Sequence, residues 1–264
     1  MIYAGYLAAI LIGISLGLIG GGGSILTIPV LVYLMGIPAT AATTYSLFIV
    51  GVGSLAGSLR SYRIINIKTA LIFGSASIVS VLLTRRFLLP LIPEILLQSD
   101  SVRVSKDSFL MLLFAGLMIL ASFSMIRAGK KKIRESIKSR NPFFLVILGL
   151  FVGTVTGLLG AGGGFLIIPA LVIFNKLDMK TAVATSLTII AVNSLIGFAG
   201  SLGTQEIDWR FLLLFTAIAV SGILIGTRLS QRISGRALKV GFGWFVLCMG
   251  VLILVAEFLE AISS

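Results

Sequence analysis

The sequence predicts an all-α polytopic membrane protein made of two inverted repeats of about five helices each, the second helix of each repeat being short. Three observations lead there. Of the 264 residues, 58% are hydrophobic and only 11% charged, and the mean hydropathy is +1.14. A water-soluble fold could not cover that much apolar surface with 21 basic and 9 acidic side chains. Second, apolar runs recur along the whole chain. Third, residues 17–32 (GLIGGGGSILTIPVLV) align without gaps on residues 157–172 (GLLGAGGGFLIIPALV), with 10 of 16 positions identical, so the chain is a tandem duplication.

Taken in order, apolar runs at 2–20, 45–59, 69–84, 108–126, 143–160, 185–201, 211–227 and 240–258 are helical candidates. Each approaches the length that a rise of about 1.5 Å per residue needs for a hydrocarbon core of about 30 Å. The first run carries no basic residue ahead of it and is expected to be retained as a span. Two further runs, 25–35 and 165–174, are too short to span unaided. They read as half-helices, re-entrant segments, or the apolar centres of spans continuing through 39–44 and 181–184. At the same offset Ser46-Leu47 falls on Ser186-Leu187; after a two-residue insertion Phe73 falls on Phe215 and Arg86 on Arg228. The expected organisation is a first transmembrane repeat at 1–126, a basic cytoplasmic linker at 127–142 and a second repeat at 143–264.

Charge decides the relative orientation of the halves. With four crossings each and parallel halves, basic residues divide 11 inside and 10 outside; with an odd number of crossings and inverted halves they divide 16 and 5. The positive-inside rule favours inversion, with both termini outside. The net charge of +12 comes from short clusters between apolar runs and is explained by this topology, without nucleic acid as a partner.

The chain contains no histidine, which removes imidazole metal sites and Ser/His triads, and its single cysteine, Cys248, excludes an internal disulfide. No catalytic residue, metal site or cofactor is expected, and the enzyme class is set aside. None of the predicted spans carries Asp, Glu, Lys or Arg at its middle. A solute bound there must be held by backbone dipoles and hydroxyls.

The runs Gly20–Gly23 and Gly160–Gly164, the latter interrupted by Ala161, break a helix and leave N–H groups accessible. A helix restarting at Ser24 or Gly164 presents a positive dipole end, an anion site without a charged side chain. Close helix packing through small residues explains the same glycines differently. Thr43, Thr44, Tyr45 and Ser46 are matched by Thr185, Ser186 and Thr188, with Asn193 beyond. Their hydroxyls and amide can donate to anion oxygens, or serve interhelical hydrogen bonding and capping. The resulting substrate-binding set is Gly20, Gly22, Gly23, Ser24, Thr44, Ser46, Gly160, Gly162, Gly163, Gly164, Thr185, Ser186 and Asn193. Pro29 and Pro169 kink or start the short helices. Arg86 and Arg228 end their spans, where they snorkel or attract anions at each mouth. Trp209, Trp244 and Tyr3 suit interfacial anchors.

The pattern GxxGxGGGxxxxP at 17–29 and again at 157–169, followed by the Thr/Ser-rich 41–47 and 181–187, resembles the TauE/SafE sulfite exporter family over nearly the whole chain. The resemblance implies a bacterial, archaeal or plant type of membrane protein that moves sulfite, sulfonates such as sulfoacetate, or other small organosulfur anions, usually outward. It places Gly20, Gly22, Gly23, Gly160, Gly162 and Gly163 near the transport path, with Ser46, Thr185 and Ser186 beside them. Ala161 and the extended 87–107 segment, present only in the first half, depart from the pattern. The family is usually described with eight spans, against the ten helices counted above.

The expectation is therefore a secondary transporter in the cell membrane, exporting a small sulfur-containing anion by alternating access. A channel-like anion pore, or a carrier of another small organic anion, remains as the alternative. The partners are the anion and the lipid bilayer, and the sequence is compatible with a homo-oligomer.

Overall fold

The computed structural model describes residues 2–20, 24–93, 95–99, 102–130, 142–159, 164–203, 206–230, 233 and 235–263. Eight long helices are present among them: α1 (Ile2–Ile19), α3 (Ala39–Arg60), α4 (Ile67–Leu83), α6 (Lys106–Lys130), α7 (Pro142–Leu159), α9 (Met179–Ala199), α10 (Trp209–Ser230) and α11 (Gly235–Ser263). Two short helices, α2 (Ser24–Pro29) and α8 (Gly164–Pro169), follow α1 and α7, and a one-turn α5 (Leu89–Leu91) extends α4. Six of the helical stretches are long and apolar enough to cross a membrane, including Ile67–Leu91, and α1 and α11 hold shorter apolar stretches at Gly5–Leu18 and Gly243–Leu259. This is a multi-pass, all-α membrane protein.

The sequence placed several ends wrongly. Helix α3 starts at Ala39, after the extended Pro38, and α9 at Met179, where the Asp178 carboxylate accepts the Thr181 N–H. Both starts lie in small and polar residues that an apolar count passes over. The short runs are separate helices, so the reading that made them centres of spans continuing through 39–44 and 181–184 does not hold. The segment after residue 84 is not a loop: the helix continues to Leu91. Beyond it, β1 (Ile95–Ser99) and β2 (Val102–Ser105) form an antiparallel hairpin, an addition to the otherwise helical fold.

Each short helix ends the same way. After Pro29 and Pro169 the chain widens into five-residue π-helical turns, Val30–Leu34 and Ala170–Phe174. Proline has no N–H and its ring crowds the preceding turn, which favours the looser winding. The turns close with matched hydrogen bonds, Ile37 N–H to the Leu31 carbonyl (3.0 Å) and Leu177 N–H to the Leu171 carbonyl (3.2 Å). The closing residue is left-handed in both, Gly36 at φ +70° and Lys176 at φ +55°.

The two halves pack by exchange. Helix α1 packs most extensively on α10 and α7 on α4, while α3 packs on α9 and α6 on α11. A Cβ on Gly13 or Gly17 would strike the α10 backbone at Ala219 and Ile223, and one on Gly153 would strike α4 at Ser77. Successive contacts climb together in these pairs: Gly149, Gly153 and Gly157 meet Phe73, Ser77 and Thr84, so α7 and α4 run parallel. Helices α3 and α9 run oppositely, since Leu47 meets Gly197, Gly51 meets Leu195, and Gly57 meets Leu187. Because α3 and α9 occupy equivalent places in the repeat, this antiparallel crossing is what a two-fold axis lying across the helices produces.

The same relation holds at the level of single hydrogen bonds. The Asn66 N–H donates to Thr185 Oγ1 (3.0 Å), and the Asp208 N–H donates to Tyr45 Oη (2.8 Å). Asn66 and Asp208 cap their helices through Thr69 and Phe211. Buried apolar side chains, among them Phe73, Phe114, Phe215, Leu16 and Leu47, fill the interior between these elements.

Candidate functional site

Gly22, Gly23, Gly160, Gly162 and Gly163 lie outside the described residues. What brackets them is clear. Gly20 ends α1 at φ +69°, a backbone state that favours glycine, and a Cβ there would meet Val183 Cγ1 at 3.0 Å and Ser186 Oγ at 3.2 Å. The end of α1 is thus set directly against α9 of the other half. Ser24 opens α2 fully buried, and Gly164 opens α8, also buried. Helices α2 and α8 touch each other.

A cavity of about 410 Å³ lies beside the C-terminal end of α1 and the start of α9. Leu18 and Thr227 form part of its wall, Met179, Val183 and Ala184 another part, and the end of α3 with the segment after it a third, through Arg60, Ser61, Tyr62 and Arg63. Lys180 adds a third basic residue, and among the described residues the lining contains no acid. A concave site lined by one sign of charge concentrates counter-ions, here anions. Val183 links the cavity to the break in α1, because it is also the residue that Gly20 packs on.

The hydroxyl and amide residues divide into two groups. Thr185, Ser186 and Asn193 are engaged within the protein. Thr185 accepts the Asn66 N–H, Ser186 Oγ donates to the Val183 carbonyl (2.8 Å), and Asn193 Nδ2 donates to Ser77 Oγ (2.6 Å). Ser46 is fully buried and its Oγ has no hydrogen-bond partner among the described residues. Asn193 Oδ1 is likewise unpartnered, as are Ser54 and Ser194, a pair matched across the repeat. Thr44 is 3% exposed and accepts a hydrogen bond from Arg85 Nη1 at 3.3 Å.

Arg85 lies beyond the predicted run 69–84 yet inside the observed span, though not at its middle. Its side chain is buried inside the Ile67–Leu91 span, and Nη1 donates to both Thr44 Oγ1 and Ser201 Oγ. Among the described residues Nε and Nη2 have no partner. It sits in a π-helical turn, Thr84–Leu88, closed by the Leu89 N–H bonding the Thr84 carbonyl. Pro90 supplies the local cause, because it lacks the N–H that would bond the Arg86 carbonyl in a regular helix. The sequence reading fixed on Arg86 and Arg228, which match across the repeat, and both prove exposed. The available signal was the apolar run resuming at Phe87–Ile92, which shows that the basic pair does not end the span.

A duplicated helical membrane protein with paired helix breaks and a basic vestibule belongs to the class of membrane transporters. The chain is a member of the TauE/SafE family: the family model described as sulfite exporter TauE/SafE matches residues 5–253. It is 26% identical over 260 residues to a probable membrane transporter protein of Xylella fastidiosa, covering 92% of this chain and 91% of the relative. A probable membrane transporter protein of Methanocaldococcus jannaschii is 27% identical, covering 93% and 92%. One from Bacillus subtilis is 26% identical, covering 84% and 85%. No solved structure matches.

Proposed function

We propose that this protein is a secondary transporter that exports a small sulfur-containing oxyanion, sulfite or an organosulfonate, by alternating access. The observation that carries the reading is the vestibule: Arg60, Arg63 and Lys180 around a cavity of about 410 Å³, one wall of which, Val183, also packs on Gly20. Its basic lining attracts anions. The antiparallel crossing of α3 and α9 supports inverted halves, the arrangement in which one half rocks against the other around a fixed site. The positive-inside rule puts Arg60 and Arg63 in the cytosol, so the vestibule is the entry for a cytoplasmic solute. An inside-negative potential then favours exit by about 2.3 kcal/mol per charge per 100 mV, and export needs no coupling ion.

The test is uptake and counterflow of labelled sulfite, sulfate, sulfoacetate and taurine in proteoliposomes, with Gly22→Leu and Gly162→Leu alongside. Saturable counterflow of sulfite or a sulfonate, lost in both variants, is the expected result. Ohmic single-channel currents would replace the carrier by a pore, and full activity in both variants would remove the glycine breaks from the path.

A further inference from the structure

Carried across the repeat, the vestibule has a counterpart at the opposite end of the molecule. Ser61, Ala184 and Thr227 of the cavity wall correspond to Ser201, Thr44 and Arg85. Those three form the hydrogen-bonded cluster described above. One end is open and the other packed shut, with Thr44, Ser201 and Arg85 at 3%, 4% and 7% exposure. The ends also differ in charge. Thr227 spends its hydroxyl on its own helix, on the Ile223 and Leu224 carbonyls, where the first half has a guanidinium.

The guanidinium is held in a defined way. Of the guanidinium nitrogens it is Nη1 that donates to both hydroxyls, and no carboxylate is among its partners in the described residues. Nε and Nη2 are left, buried and without acceptors among the described residues. These two nitrogens share one edge of the planar group, the edge that delivers two parallel N–H bonds to two oxygens on a single atom. Leaving such donors dry and unpaired is costly, and an oxyanion seated on that edge relieves the cost.

We infer that Arg85, oriented by Thr44 and Ser201, is an anion-binding station at the end of the path opposite the vestibule. Its ligand is a small oxyanion presenting two oxygens on one central atom, as a sulfonate, sulfite or carboxylate does. The inference rests on the transport reading and adds a residue and a selectivity to it. A halide carries the same charge but makes one contact, so the station distinguishes oxyanions from halides. Lysine keeps the charge but not the two-pronged edge.

The experiment measures stabilisation of purified protein by sulfite, methanesulfonate and bromide, as thermal midpoint against concentration, in wild type, Arg85→Lys and Thr44→Val. Sulfite counterflow by the wild type is run separately, so that failure of transport is read apart from failure of the station. Wild type is expected to respond to sulfite or methanesulfonate and not to bromide. Arg85→Lys is expected to need about tenfold more oxyanion or beyond, the loss of one or two charge-assisted hydrogen bonds, and to lose the preference over bromide. Thr44→Val, which keeps the arginine but removes one of the two acceptors that hold Nη1, is expected to weaken the response several-fold and decides the matter if Arg85→Lys does not fold. Unchanged midpoints against concentration in the variants, or no oxyanion response in wild type, would overturn the station even if sulfite is transported. A phospholipid headgroup offers the same pair of oxygens. Arg85-dependent retention of phosphatidylglycerol in native mass spectra, undisturbed by methanesulfonate, would assign the site to lipid and overturn the proposal too.

Discussion

Lys176 occupies the left-handed position that closes the second π-helical turn, where the first half uses Gly36. A side chain in that conformation costs roughly 1 to 2 kcal/mol, partly offset because glycine gives up more chain entropy on folding. Lys176→Gly is therefore expected to stabilise the protein by up to about 1 kcal/mol, read as a raised thermal midpoint in detergent; a lowered midpoint would contradict it. At Gly20 the same physics works in reverse. Gly20→Ala adds left-handed strain and a Cβ 3.2 Å from Ser186 Oγ, so loss of stability and slower transport are expected together, by unfolding titration and flux. Single residues were the hardest scale to read from sequence. Glycine runs announce themselves, whereas Arg85 was hidden by its neighbour Arg86, and only the proline-widened turn turns it inward.

At the scale of elements, the stripe Gly149, Gly153 and Gly157 lets α7 lie directly on the α4 backbone, as Gly13 and Gly17 do for α1 on α10. A side chain there has nowhere to go. Gly153→Leu is expected to cost about 3 kcal/mol or more, above the usual range for overpacking because the obstacle is backbone at Ser77. Unfolding at a lower SDS fraction checks it; Gly116→Leu on α6, with open space around its Cβ, is the tolerant control. Hydrophobic runs located the long helices well, since lipid demands such runs. They missed the first turns of α3 and α9, ATAA and MKTA, where small and polar residues interrupt the apolar pattern and only Ala39, Ala42 and Ala182 are buried.

For the whole molecule, the open vestibule and its shut counterpart describe one conformation of an asymmetric pair. Val183 in the cavity wall corresponds to Thr43, which is buried. In a Cys248→Ala background, Val183→Cys is expected to react with a membrane-impermeant thiol reagent at least about tenfold faster than Thr43→Cys in this conformation. Equal rates would mean that the ends do not alternate. Helix directions were out of reach of composition. They follow from which glycine meets which leucine across α3 and α9, a matter of three-dimensional packing that charge counting addresses only through the loops.

Because α1 lies on α10 and α7 on α4, neither half keeps its own glycine groove covered; each surrenders its first long helix to the other. A gene cut in the 131–141 segment should therefore yield two polypeptides that are degraded when made singly and that reassemble into working transporter when made together. Covalent continuity would then matter for delivering the pieces in equal number, and the fold itself would behave as a dimer of unlike halves that happen to share one chain.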